Sequence, residues 1–370
     1  MCFRSLLVLV AGLVCDQGFA AEPAKLKLDE PKPFQVFQRE GFEPARSSIN
    51  ELEGPELGYA DLIARAARPK GIVGDWQYRL ELLEHGFGRT SDWLPLMAEG
   101  TEQELKFTVE ASAGGWFRLV IRCVDGEETT AEGSVEPIGV GEVFIVAGQS
   151  YAGGHNDEVI KVTDASQAVS TYDWQTKTWR IANDPPPNNG DGGSIWPPLG
   201  DMLVPTLRVP VAFVNVSVGA TSSTKWLPDG PLHKRLCEVG NAVGSFRAVL
   251  WQQGESDVIE KTSTATYVKN MKEIRDAARD AWGFDPPWLL AKSTLHPTVY
   301  NDPVGERRIR MAIDELWKSG FRPGPDTDVL GGDNRGDAKS RRHFSSLGQR
   351  RAALLWFAVL WNELRQEADK

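Results

Sequence analysis

Between residues 33 and 138, hydrophobic and polar positions alternate in short runs. Segments 35–38, 77–82, 104–109 and 116–121 carry this period-two pattern, and Gly114-Gly115 and Asp125-Gly126 punctuate it. Short strands parted by such turns predict a β-sandwich of immunoglobulin-like type. Within it, residues 60–67 read as a helical crossover. Ahead of it, the polar stretch 21–32, rich in Lys, Glu and Pro, reads as a linker.

The pattern changes near Gly139-Val140-Gly141. Largely apolar runs at 142–147, 211–216, 248–251 and 288–291 read as buried parallel strands. Helical patterns occupy 199–207, 265–282, 304–318 and 347–365, and the Pro, Asn and Gly of 185–193 mark a loop. This alternation predicts a parallel sheet with helices on both faces, over residues 139–370.

Composition sharpens the class. A net charge of -10 without a Lys/Arg run argues against nucleic acid or an anionic membrane surface as partner. Residues 1–20 carry a charged end at Arg4, an apolar core from Ser5 to Val14 and a small-x-small site at Gly18-Phe19-Ala20. They read as a cleaved signal peptide, with export to the periplasm or medium expected. The core is too short to span a bilayer. Beyond it only Cys123 and Cys237 remain; two buried free thiols are expected, and a disulfide between them stays open. Five scattered His without zinc spacing predict no metal, and no cofactor is expected. Most of the 13 Trp are expected in the core, with the remainder free to stack on sugar rings.

Candidate chemistry lies where the predicted strands end. Gly148-Gln149-Ser150 follows the first, and the carboxyl end of a parallel strand is where such a sheet delivers a nucleophile. Ala152 departs from the Gly-x-Ser-x-Gly elbow. Gly219 follows the second strand, and Gln253-Gly254-Glu255-Ser256-Asp257 the third. His343 precedes the C-terminal helix and supplies a base. These segments open onto one edge and provide a nucleophile, a base and oxyanion donors: the Ser150 and Gly219 N–H groups and the Gln253 amide. Glu255 is placed to hold that amide, accept from backbone or anchor a substrate hydroxyl.

With these residues assembled, the chain resembles the SGNH hydrolases, in the branch of the sialate O-acetylesterases and acetylxylan esterases of carbohydrate esterase family 6. Residues 141–150 resemble the first block in its Gly-Gln-Ser form. Residues 251–257 resemble the Trp-x-Gln-Gly-Glu-Ser-Asn/Asp block, 218–221 with Trp226 the Gly-Gly-Thr segment, and 343–345 the His block. The resemblance implies a flavodoxin-like three-layer α/β/α hydrolase domain that removes O-acetyl groups from carbohydrates without a metal. It implies Ser150 as nucleophile, His343 as base and Ser150, Gly219 and Gln253 as the oxyanion hole, with Gln149 in support. Tyr151 stands where the family has Asn, a substrate or loop contact. Ser340 stands where the family has the acid that orients the histidine. Asp337, Asp333 or a backbone carbonyl remain to fill that role. The expected partner is an acetylated carbohydrate, on polysaccharide or sialic acid; the oligomeric state is left open. A carbohydrate-binding protein on an impaired esterase scaffold is the competing expectation.

Overall fold

The computed structural model describes residues 22–42, 54–188, 190–297, 301–336 and 342–366. The expected signal peptide, 1–20, and Asp337 lie outside the described residues. The first part of the chain forms two packed sheets. One joins Leu28–Glu30, Tyr59–Ala67, Glu104–Ser112 and Glu99–Gly100. The other contains Asp75–Leu82, Leu94–Leu96 and Trp116–Asp125. Trp76 of the second packs on Phe107 of the first, ring centroids 5.2 Å apart, and the Tyr78 hydroxyl donates across the layer to Glu110 O at 3.1 Å.

Two expectations fail here. Residues 60–67 are strand, not helix: Ala60, Leu62, Ala64 and Ala66 all face the core while their neighbours face outward. Small alanines fit the inner face of a sandwich, and pairing along the whole of Glu104–Ser112 overrides helical propensity. The segment read as a linker is also structured. Ala24–Lys25 and Leu28–Glu30 pair with other strands, and Leu26 between them is buried.

The central sheet is ordered β3-β2-β4-β1-β5-β6-β7. Its strands are β1 (Glu128–Gly148), β2 (Val169–Asp173), β3 (Thr178–Ile181), β4 (Val211–Asn215), β5 (Ala248–Gln252), β6 (Trp288–Lys292) and β7 (Arg322–Asp326). All neighbours are parallel except the β2–β3 hairpin. Strand β1 belongs to both halves of the molecule. Its first part pairs antiparallel with Trp116–Asp125, through two register shifts, and its last part lies between β4 and β5. The boundary expected at residue 138 therefore falls inside one strand, and a 12-stranded sheet runs through it. The end of β1, β4 and β5 are buried at every position, which is why they read as largely apolar runs.

The helices are α1 (Ser150–Gly153), α2 (Trp196–Leu207), α3 (Pro231–Val243), α4 (Glu255–Ile259), α5 (Thr264–Trp282), α6 (Pro303–Trp317) and α7 (Ser346–Gln366). Helices α2 and α7 pack together, with Trp196 and Trp356 at 6.1 Å, while α3, α5 and α6 pack as a second layer. After β1 the chain turns toward β2; after β5 it turns toward β6, on the other side. That reversal leaves a crevice at the carboxyl ends of β1 and β5.

A buried ion-pair cluster joins the two halves at the other end of these strands. Glu142 of β1 accepts from Arg39 Nε at 2.7 Å and Arg247 Nε at 2.8 Å. Burial alone would raise its carboxyl; Arg247 and Arg39 outweigh that and hold it at about 2. Cys123 and Cys237 are both free, and Cys123 is buried in the sandwich.

Candidate active site

The crevice is a cleft of about 350 Å³ lined by Gln149, Ser150, His155, Gly219, Ala220, Ser256, Ile259, His296, Arg342 and His343. Its size suits a sugar-sized ligand. Ser150, Gly219 and His343 thus come together from three separate segments, and no Trp lines the cleft. The two strand ends approach closely beneath Ser150. Gly148 has φ 137°, and a Cβ there would stand 2.1 Å from Gln252 O. Only glycine lets β1 end this close to β5.

Ser150 opens α1. The helix is fixed from behind by Asn215 Nδ2 and Trp196 Nε1, both donating to Ala152 O at 2.8 Å. Among the described residues, neither the Ser150 nor the Gly219 backbone N–H is given to a carbonyl in the surrounding loops. Two donors therefore stand free at the cleft wall.

Gln253 is placed differently from its expected role. It is wholly enclosed and does not line the cleft. Its amide nitrogen lies 2.6 Å from Asp257 Oδ2, 3.1 Å from Thr221 O and 3.3 Å from Gln149 Oε1, so its two protons are used inside the protein. Asp257, not Glu255, holds that amide, and it also accepts from the Ser223 N–H and hydroxyl at 2.7 Å each. The pair ties the Gly219 loop to the end of β5, a supporting role rather than an oxyanion contact. Burial raises the Asp257 carboxyl, opposed by these hydrogen bonds.

Glu255 is likewise enclosed and touches neither Gln253 nor the cleft surface. One oxygen accepts from the Ser293 hydroxyl at 2.6 Å; the other is buried without a partner. Burial pushes its carboxyl up to about 8, so it is neutral at pH 7. Gln149 supports the floor, its side-chain oxygen accepting from Ser256 N at 3.1 Å.

Tyr151 is not among the residues that line the cleft. It is buried, its ring edge-on to His343 with centroids 5.4 Å apart. Its hydroxyl lies between Arg342 O and Leu295 O, the latter at 3.1 Å. The His343 segment is held further by Asn156, whose oxygen accepts from Phe344 N at 3.1 Å while its amide donates to Tyr151 O and Gly193 O. Asp333 is exposed, and its carbonyl accepts from the Ser345 hydroxyl at 2.6 Å.

Several site residues were not foreseen. Three of the five histidines line the cleft: His155, His296 and His343. His296 follows the end of β6, the one predicted strand end without a candidate residue from the sequence. Burial, reinforced by Arg342 and Arg335, lowers its imidazole to about 4, so it is neutral. His155 follows Ser150 by five residues in the same segment, and that proximity was the available signal. Asn156 carried no such sign, because its role depends on contacts with residues far away in the chain.

Residues 140–291 match the family model described as carbohydrate esterase, sialic acid-specific acetylesterase. No curated protein matches the sequence. Among solved structures, the chain is similar to a carbohydrate acetylesterase from Xanthomonas citri at 13% identity and TM-score 0.49, covering 88% of this chain and 72% of that one. It is similar to an Arabidopsis thaliana protein at 18% identity and TM-score 0.49, covering 60% and 98%. A family 3 carbohydrate esterase of Clostridium thermocellum aligns at 10% identity and TM-score 0.41, covering 61% and 98%. The match over 140–291 spans the end of β1 with β4, β5 and most of β6, and it takes in the Ser150, Gly219 and Gln253 segments.

Proposed function

We propose that the protein is an exported carbohydrate O-acetylesterase working through an acyl-enzyme on Ser150. The observation that carries this reading is the meeting of Ser150, His343 and two free backbone donors in one cleft at the switch point of the sheet. His343 takes the Ser150 proton as Oγ attacks the acetyl carbonyl carbon, and the Ser150 and Gly219 N–H groups receive the developing oxyanion. Collapse expels the sugar alkoxide, which takes the proton from His343. Water, deprotonated by His343, then attacks the acetyl-Ser150 ester; acetate leaves and Oγ regains its proton. Asp337, six residues before the base, is assigned the task of orienting His343 and stabilising its charged form. An acetylated polysaccharide or sialic acid is the substrate class, with plant-type glycans such as xylan preferred. Export rests on the signal-like pattern of residues 1–20.

The test is Ser150→Ala. Acetate release from an acetylated glycan and from a chromogenic acetyl ester should fall by at least about a thousandfold while circular dichroism stays unchanged. Retained hydrolysis by the folded variant would overturn the mechanism.

A further inference from the structure

We infer that His155, held by Asp191, is the cleft's acceptor for the sugar hydroxyl that neighbours the scissile acetyl; the inference rests on the esterase reading above. The pair is built rather than incidental. Gly192 N donates to Gly154 O at 2.9 Å, and Asn156 and Gly193 exchange backbone hydrogen bonds of 3.0 and 2.8 Å. The residues beside His155 are thereby joined to those beside Asp191. His155 Nδ1 lies 2.9 Å from Asp191 Oδ1.

An ionised carboxylate only accepts, so Nδ1 carries the imidazole proton. The hydrogen bond from His155 is the largest cause that holds the Asp191 carboxyl below the usual range, which agrees with an ionised partner. In the Nδ1–H tautomer that this bond selects, Nε2 is the ring's acceptor. It is enclosed and, among the described residues, has no hydrogen-bond partner.

Its position fixes what it meets. The ring lies nearly parallel to that of His343, centroids 6.0 Å apart and planes 25° apart. Nε2 also stands 3.0 Å from where a Cβ on Gly219 would be, so a glycine there makes room for it. It therefore lies beside the Gly219 backbone, on a ring that flanks His343 and lines the same cleft. A lone pair there cannot stabilise an oxyanion, but it can receive a hydroxyl proton. On a sugar, the hydroxyl next to the acetylated carbon is such a donor; an aryl acetate has none. A buried acceptor that only the correct substrate satisfies discriminates by leaving itself unpaired with the wrong one.

The experiment compares kcat/KM on three acetyl esters: a monoacetylated sugar with the vicinal hydroxyl free, its analogue deoxygenated at that position, and an aryl acetate. The variants are His155→Phe, which keeps a ring against His343, His155→Gln, which restores an acceptor, and Asp191→Asn at an exposed carboxylate. The wild type should prefer the hydroxyl sugar over the deoxy analogue by about tenfold. His155→Phe should lose that preference, His155→Gln recover part of it, and Asp191→Asn reduce it severalfold. Equal losses on all three esters would overturn the inference, since they would mark support of His343 or of the oxyanion; so would an intact preference in His155→Phe. A wild type that hydrolyses none of the esters overturns the esterase reading, and the inference falls with it.

Discussion

Glu142 and Glu255 are both wholly enclosed, yet the two ends of the central sheet treat them in opposite ways. At the junction with the sandwich, Glu142 is ionised and clasped by Arg39 and Arg247. At the floor of the cleft, Glu255 has a serine hydroxyl for a partner and is kept neutral by burial. The contrast separates two uses of a buried acid. At the junction, charge fixes how segments distant in sequence meet. At the floor, a negative charge one residue from Ser256, which lines the cleft, would oppose the oxyanion of the proposed mechanism. The structure places its strong buried ion pairs away from the chemistry.

The most disruptive way to break this comparison is Glu142→Gln. It leaves Arg39, itself fully enclosed, without its counter-charge. Loss of one partner of such a cluster costs about 3–5 kcal/mol, measurable by equilibrium denaturation at pH 7. The acid limb gives the sign. The Glu142 carboxyl is depressed from 4.5 to about 2 in the folded chain. Its contribution is complete above about pH 4.5 and is lost as pH falls toward 2. The gap between wild type and variant should narrow across that window. A constant gap would mean that Glu142 acts through packing alone.

Glu255→Gln probes the other end, with the opposite pH dependence. The folded wild type keeps a proton on Glu255 up to about pH 8, whereas the unfolded chain releases it near the ordinary value of 4.5. Wild-type stability therefore falls as pH rises between those values, and a glutamine cannot share that loss. The melting temperature of the variant relative to wild type should rise from pH 5 to pH 8. An unchanged difference would show Glu255 to be ionised throughout and erase the contrast with Glu142.

Legibility in the sequence follows the same division between local pattern and distant contact. The strands ending at Gly148, Asn215, Gln252 and Lys292 were visible because burial on both faces writes a largely apolar run. Strand β7, Arg322–Asp326, was not: its two prolines and glycine carry no apolar run, and its pairing with β6 makes it a strand. Residues 60–67 were misread because sheet pairing decided against local propensity. In the site, Ser150, Gly219 and His343 were legible from where strands and helices end. The direction of the Gln253 amide was not, since Asp257 and Thr221 O compete for its protons only in three dimensions. The His155–Asp191 pair was hidden for the same reason: 36 residues separate its members.

Tyr151 offers the mildest and most pointed test, because it is enclosed, uncharged and next to the base. Burial pushes its phenol up, so it stays a neutral donor, held between Leu295 O and Arg342 O. Tyr151→Phe removes one neutral hydrogen-bond donor and leaves the ring against His343. The expected cost is about 1 kcal/mol, well below that of Glu142→Gln. Since the hydroxyl secures the segment that carries His343 and Tyr151 does not line the cleft, kcat should fall a few-fold by the same factor on an acetylated sugar and an aryl acetate, with KM nearly constant. A loss confined to the sugar would place Tyr151 among the substrate contacts. A loss of stability as large as that of Glu142→Gln would mean that the cleft end of the sheet depends on its neutral hydrogen bonds as heavily as the junction depends on charge.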